Sequence, residues 1–152
     1  MIFRTFVFVV FNFLALGIGG FFTGKGVVSQ WYLQLNKAPW TPPGWVFGTA
    51  WTIIMIGFAF FMSYLYATKD SKTFVIYLFV VQWILNVAWN PMFFYYHNIF
   101  VSLIIIVLLT ALMGFFFFYF LVDLKLKSLF VLPYFIWLLI ATSLNAYILM
   151  KN

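Results

Sequence analysis

The side chains best placed to do chemistry in this sequence are amides and tryptophans. Gln82, Asn86 and Asn90 recur every fourth residue within the apolar run TFVIYLFVVQWILNVAWNPMFF. On a helix they stack along one face. Three aligned amides are too costly to face lipid. They either hydrogen-bond to neighbouring helices or line a polar strip in a ligand cavity. Trp83 and Trp89 flank the strip, and Pro91 removes a backbone donor at its end. The expected kink widens that end and favours a cavity there. Pro133, Trp137, Ala141 and Asn145 form a second row with the same spacing. Ala141 leaves room beside Trp137 for a neighbouring backbone or a flat ligand. Phe47, Trp51, Met55 and Phe58 share a third stripe, a pattern more often core than site. Acid–base chemistry has little to work with. There is no Glu or Cys, His97 is the only histidine, and Asp70 and Asp123 both lie beside lysines, where they read as solvated turn charges. The sequence offers no paired carboxylates, nucleophile–base pair, metal cluster or phosphate loop. His97, alone in a short polar turn, is a poor candidate for axial haem ligation. Without cysteine there is neither a disulfide nor thiolate chemistry.

The elements that must hold these residues are membrane spans. Hydrophobic residues make up 67% of the 152, only 7% are charged, and the mean hydropathy is +1.13. A water-soluble domain of this length could not hide that much apolar surface. A span needs about 20 apolar residues, and five segments qualify: Phe3–Phe22, Trp45–Tyr66, Thr73–Phe94, Ile99–Val122 and Leu129–Leu149. Helices are the only way to satisfy the backbone of such segments in lipid. Apart from Thr23–Gly44, the dividers are tight, so consecutive helices are antiparallel neighbours. The expected fold is an all-α five-helix membrane bundle formed by residues 1–152 as a single domain. The first segment is too long for a signal-peptide core and lacks a strong cleavage site after it, so it reads as a retained helix. Asn12, Ala15, Gly19 and Gly20 suit it to close helix contact, and Phe115–Phe118 read as lipid-facing filler.

The net charge of +6 comes from basic residues scattered at segment ends, with no basic stripe. This argues against nucleic-acid binding and for flanking charges on a membrane protein. Arg4, Lys69, Lys72, Lys125 and Lys127 fall on the N-terminal side, and Lys25, Lys37 and Lys151 on the other. Five against three orients the N-terminus inward and the C-terminus outward.

The one long divider leads into the stretch Trp31–Trp51, WYLQLNKAPWTPPGWVFGTAW. It holds four tryptophans, Tyr32 and three prolines in 21 residues. Crossing a bilayer requires no such loop, but capping a pocket between helices would use one. Prolines lower the entropy cost of holding a lid in place, and the aromatics offer rigid amphipathic faces at the membrane edge.

The stretches Trp31-Tyr32-x-x-Leu35-Asn36-Lys37-x-Pro39-Trp40-Thr41-Pro42-Pro43-Gly44, Phe47-x-x-x-Trp51-Thr52, Asn86-x-x-Trp89-x-Pro91-x-Phe93-Phe94 and Pro133-Tyr134-x-x-Trp137-x-x-x-Ala141-x-x-Leu144-Asn145-x-x-Ile148 occur in that order. Together they resemble the TspO/MBR family, the tryptophan-rich sensory and translocator proteins. The resemblance covers nearly the whole chain. It departs at Ala38 and Thr49, where proline is common, at Met55, where tyrosine is usual, and in VSLIIIVLL, where an acidic residue is usual. The last departure weakens any role that depends on that charge. The resemblance implies a five-helix bundle, often dimeric, that binds porphyrins and drug-like isoquinoline or benzodiazepine ligands, and sterols in some members. The implied pocket lies between helices under the first loop and involves Tyr32, Pro42, Phe47, Trp51, Asn86, Asn90, Trp137, Ala141 and Leu144. Trp137, about 12 residues from the end of its segment, falls near mid-membrane at 1.5 Å per residue and would floor the pocket.

The functional expectation is a membrane receptor or sensor for a flat tetrapyrrole that needs no further cofactor. Tryptophan faces would stack the ring, Asn86 and Asn90 would bond its polar edges, and Lys25 or Lys37 would attract carboxylates at the rim. One rival is an enzyme that degrades porphyrin with light and oxygen, with Trp51 or Trp137 as redox partners. Another is a transporter, which no broken-helix pair or intramembrane charge pathway supports. Leu144-x-x-Tyr147-x-x-x-Lys151 has the form proposed for cholesterol contact, although Tyr and Lys at a helix end are also ordinary interface anchors.

Overall fold

The computed structural model describes residues 1–152 as helices and short turns. Five helices are long and apolar enough to cross a bilayer. They are α1 (Ile2–Gly26), α3 (Gly44–Thr68), α4 (Lys72–Phe94), α5 (Ile99–Leu124) and α6 (Leu132–Lys151), with a short α2 (Gln30–Gln34) in the first loop. The local signals that start these helices are ordinary. Ser29, Ser71 and Asn98 each accept a hydrogen bond from a backbone N–H three residues on, which satisfies one orphan donor of the first turn. Pro133 sits in the first turn of α6, where its missing N–H costs nothing. The chain reverses at His97 and Lys125, both at positive φ.

Helix α1 packs on α3 and α4, α5 packs on α4 and α6, and α3 meets α6 to complete the ring. Polar side chains tie the neighbours together. Thr5 bonds to Ser63 (2.9 Å), Asn12 Nδ2 donates to the Met55 carbonyl (2.9 Å), and Thr110 meets Thr142 (2.9 Å). The densest core lies in the half of the bundle away from the long loop. There Phe58 stacks on Phe61 and Phe79 and meets the edges of Phe116 and Tyr134, at centroid distances of 5.4–6.2 Å. The Phe47–Trp51–Met55–Phe58 stripe thus divides: Met55 and Phe58 are fully buried, while Phe47 and Trp51, nearer the loop, are half-buried.

Several expectations need correction. The fourth divider is a 3-10 helix, Lys125–Phe130, and α6 begins at Leu132, three residues later than expected. Phe115–Phe118 are not all lipid-facing: Phe115 and Phe118 are exposed but Phe116 is fully buried. Four consecutive residues sweep most of a helix circumference at 3.6 residues per turn, so one of them must point inward. Asp123 is not a free turn charge, because it pairs with Lys69 at 2.7 Å. Asn12, Ala15 and Gly19 are buried as expected of a contact face, whereas Gly20 is open.

Candidate ligand-binding site

The loop between α1 and α3 lies across the ends of α4 and α6. At α4, Trp31 stacks on His97 at 4.0 Å and meets the edge of Phe93 at 5.5 Å. Tyr32 packs on Phe94 at 5.6 Å. Partial burial pushes the Tyr32 phenol above the usual tyrosine range. The ammonium of Lys37 donates to the Tyr32 carbonyl at 2.7 Å and sits over its ring. At α6, the Trp40 indole N–H donates to Ser143 Oγ (3.1 Å), and its ring meets Tyr147 edge-on. The Asn36 amide N–H donates to Asn152 Oδ1 (2.9 Å), and Asn152 Nδ2 returns a bond to the Asn36 carbonyl. Pro42 is half-buried, and Ala38, where related sequences often carry proline, is buried in the loop.

Beneath the loop, α3 and α6 carry five expected residues, Phe47 and Trp51 on α3 and Trp137, Ala141 and Leu144 on α6. Phe47 meets Trp137 edge-on at 5.4 Å, and Trp51 meets Tyr134 at 5.7 Å. Ala141 is half-buried and Leu144 buried on α6. Asn86 and Trp137 are only 7% and 8% exposed. The Trp137 indole N–H has no hydrogen-bond partner. The Asn86 amide donates and accepts no side-chain hydrogen bond; only its backbone carbonyl is engaged, by Asn90 Nδ2. Three other buried polar atoms are unpaired: Asn12 Oδ1, Gln82 Oε1 and Ser128 Oγ. The first two belong to amides already bonded through nitrogen.

The amide strip therefore serves three ends. Gln82 Nε2 donates to the Tyr134 hydroxyl at 2.8 Å, tying α4 to α6. Asn90 Oδ1 accepts from Thr23 at 2.8 Å, and its side chain lies against Gly19, where an added Cβ would come within 2.6 Å. Asn90 is thus engaged with α1. Asn86, between Gln82 and Asn90 in the strip, keeps its amide free. The partners Tyr134 and Thr23 were not singled out as such in sequence. Tyr134 lies within the Pro-Tyr-x-x-Trp spacing, but Thr23 carries no signal of its own. Asn145, on the second four-residue row, accepts from Trp89 Nε1 and Ser102 Oγ (3.1 Å each) and donates to the Ile99 carbonyl. It is a three-helix knot between α4, α5 and α6.

The TspO/MBR family model matches residues 6–150. The chain belongs to the TspO/MBR family. Among similar proteins, the tryptophan-rich protein TspO of Archaeoglobus fulgidus is 34% identical over 142 residues, covering 91% of both chains. The tryptophan-rich protein TspO of Chlorobaculum tepidum is 32% identical over 142 residues, covering 91% of this chain and 90% of its own. The human translocator protein is 26% identical over 129 residues, covering 82% and 75%. TspO/MBR membership and the five spans make this an integral, multi-pass membrane protein.

Proposed function

We propose that this TspO/MBR protein is a membrane receptor or sensor that binds a porphyrin-like tetrapyrrole between α3, α4 and α6, under the Trp31–Gly44 loop. Relatives named tryptophan-rich sensory protein and translocator protein support a receptor or sensor role. The observation that carries the ligand reading is the buried, unpartnered Trp137 indole N–H, packed against Phe47, together with an Asn86 amide that makes no side-chain hydrogen bond. A buried donor without a partner costs about 1–3 kcal/mol. A flat ring with polar edges relieves that cost and gains aromatic contact. Phe47 and Trp51 on the loop side are half-buried, whereas Met55 and Phe58 farther along the same stripe are fully buried. Tyr32 and Pro42 close the site from above, Ala141 and Leu144 form the α6 wall, and Asn90 holds α1 beside α4. Drug-like isoquinoline or benzodiazepine ligands fit the same flat, aromatic-lined space.

Protoporphyrin titration of the purified protein, followed by tryptophan quenching, tests this reading. Stacking of a ring on an aromatic side chain contributes about 1 kcal/mol. Trp51→Ala and Trp137→Ala should each weaken binding roughly fivefold or more. Unchanged affinity in both variants would place the site elsewhere. The same samples, illuminated in air, separate receptor from enzyme. Trp51→Phe or Trp137→Phe that keeps binding but loses light-dependent conversion of the porphyrin would mark an enzyme with tryptophan as redox partner.

A further inference from the structure

On the outer flank, at the end away from the loop, α1 and the first half of α4 leave a groove of about 490 Å³. Ten of its eleven lining residues are hydrophobic, and the other is Arg4. Phe3 and Arg4 stand at its mouth. Trp83 closes the opposite end, held by a hydrogen bond from its indole N–H to the Phe11 carbonyl at 2.8 Å. Along α1 the groove runs from Phe3 to Leu14, about 16 Å at 1.5 Å per residue. That is close to half of a hydrocarbon core about 30 Å thick. The groove is therefore as deep as one leaflet, with a guanidinium at headgroup level.

Three of the four lysines near this end are engaged, and the fourth, Lys125, is exposed and does not line the groove. Lys69 pairs with Asp123, Lys72 donates to the carbonyls of Tyr66 and Lys69, and Lys127 lies over the Tyr64 ring at 4.5 Å. Arg4 takes no part in the chain's one ion pair and makes no side-chain hydrogen bond. A second copy of the chain is poorly equipped to answer it: the sequence has two carboxylates, and Asp123 is already paired.

We propose that this groove binds one anionic phospholipid from the leaflet on the N-terminal side. An acyl chain lies along Phe11 and Ile76 as far as Trp83, and the phosphate sits on Arg4. A guanidinium presents two parallel N–H donors to a phosphate, and basic sites at the membrane edge select anionic headgroups.

Trp83 is a built-in reporter. The full-length protein is placed in phosphatidylcholine vesicles carrying a small fraction of either phosphatidylglycerol or phosphatidylcholine brominated at mid-chain. Quenching lost in Trp83→Phe isolates the Trp83 signal. Brominated phosphatidylglycerol should associate at Trp83 about fivefold more strongly than brominated phosphatidylcholine, the share of one basic residue at a membrane surface. Arg4→Gln should abolish that preference. Retained phosphatidylglycerol, counted by native mass spectrometry on wild type and Arg4→Gln, checks the result without the Trp83 variant. Equal quenching by the two lipids, or a preference that survives Arg4→Gln, would overturn the proposal. So would absent quenching together with efficient cross-linking of Val80→Cys between copies, which would assign the groove to a dimer interface.

Discussion

Asn86 and Asn90 are one helical turn apart on α4 and carry the same amide in different surroundings. Asn90 accepts from Thr23 and presses on Gly19, so its hydrogen-bonding capacity serves the α1–α4 contact. Asn86 has no side-chain partner. Their substitutions should therefore behave differently. Asn90→Ala should lower the melting temperature of the ligand-free protein, since interhelical hydrogen bonds in membrane proteins are worth roughly 0.6 to 2 kcal/mol. Asn86→Ala should leave that temperature nearly unchanged and weaken porphyrin binding instead. Equal destabilisation by the two would make Asn86 structural as well. The four-residue spacing placed both amides on one face and showed that they avoid lipid. It could not tell glue from site, because that depends on which helix stands opposite each residue.

At the scale of elements, the close approach of α1 to α4 is decided by two glycines. A Cβ on Gly26 would fall 2.1 Å from Phe94 Cδ1, and one on Gly19 would meet the Asn90 amide. Gly20, one residue from Gly19, has nothing within 4 Å. Gly26→Ala should force apart the ends of α1 and α4 where Trp31 and Tyr32 dock, at a cost of about 1–3 kcal/mol for overpacking. Gly20→Ala should be neutral or stabilising by roughly 0.5–1 kcal/mol, because it only removes the glycine entropy cost of an open helix position. Thermal melts of the two variants in one detergent check the contrast, and a matched fall in both would contradict it. In sequence Gly19 and Gly20 look equally suited to a helix contact. Gly26 lies in a divider where a turn, not a helix end, was expected. The extra turn of α1 forms because backbone groups near the membrane edge still gain by pairing internally.

For the whole molecule, five spans put the ends of the chain on opposite faces of the bilayer. Protease digestion of sealed vesicles, with tags at each end, should cut one tag and spare the other. The surplus of basic residues on the N-terminal side predicts that the protected tag is N-terminal when the vesicle lumen is cytoplasmic. Protection of both tags, or of neither, would contradict the five-span count.

Sequence alone determined the class, the number of spans and the place of the capping loop. Runs of about 20 apolar residues have one stable form in lipid, and a proline- and tryptophan-rich break between such runs stands out in composition. The motif order also identified the family over nearly the full length. Tertiary structure decided which partner each polar residue meets. It gave Gln82 to Tyr134, Asn90 to Thr23, Asn145 to Trp89 and Ser102, and Asp123 to Lys69. It left Asn86 and Trp137 without partners and opened the flank groove beside Arg4. Helical periodicity tells which residues share a face, whereas the ring order and crossing of helices far apart in sequence decide what that face meets.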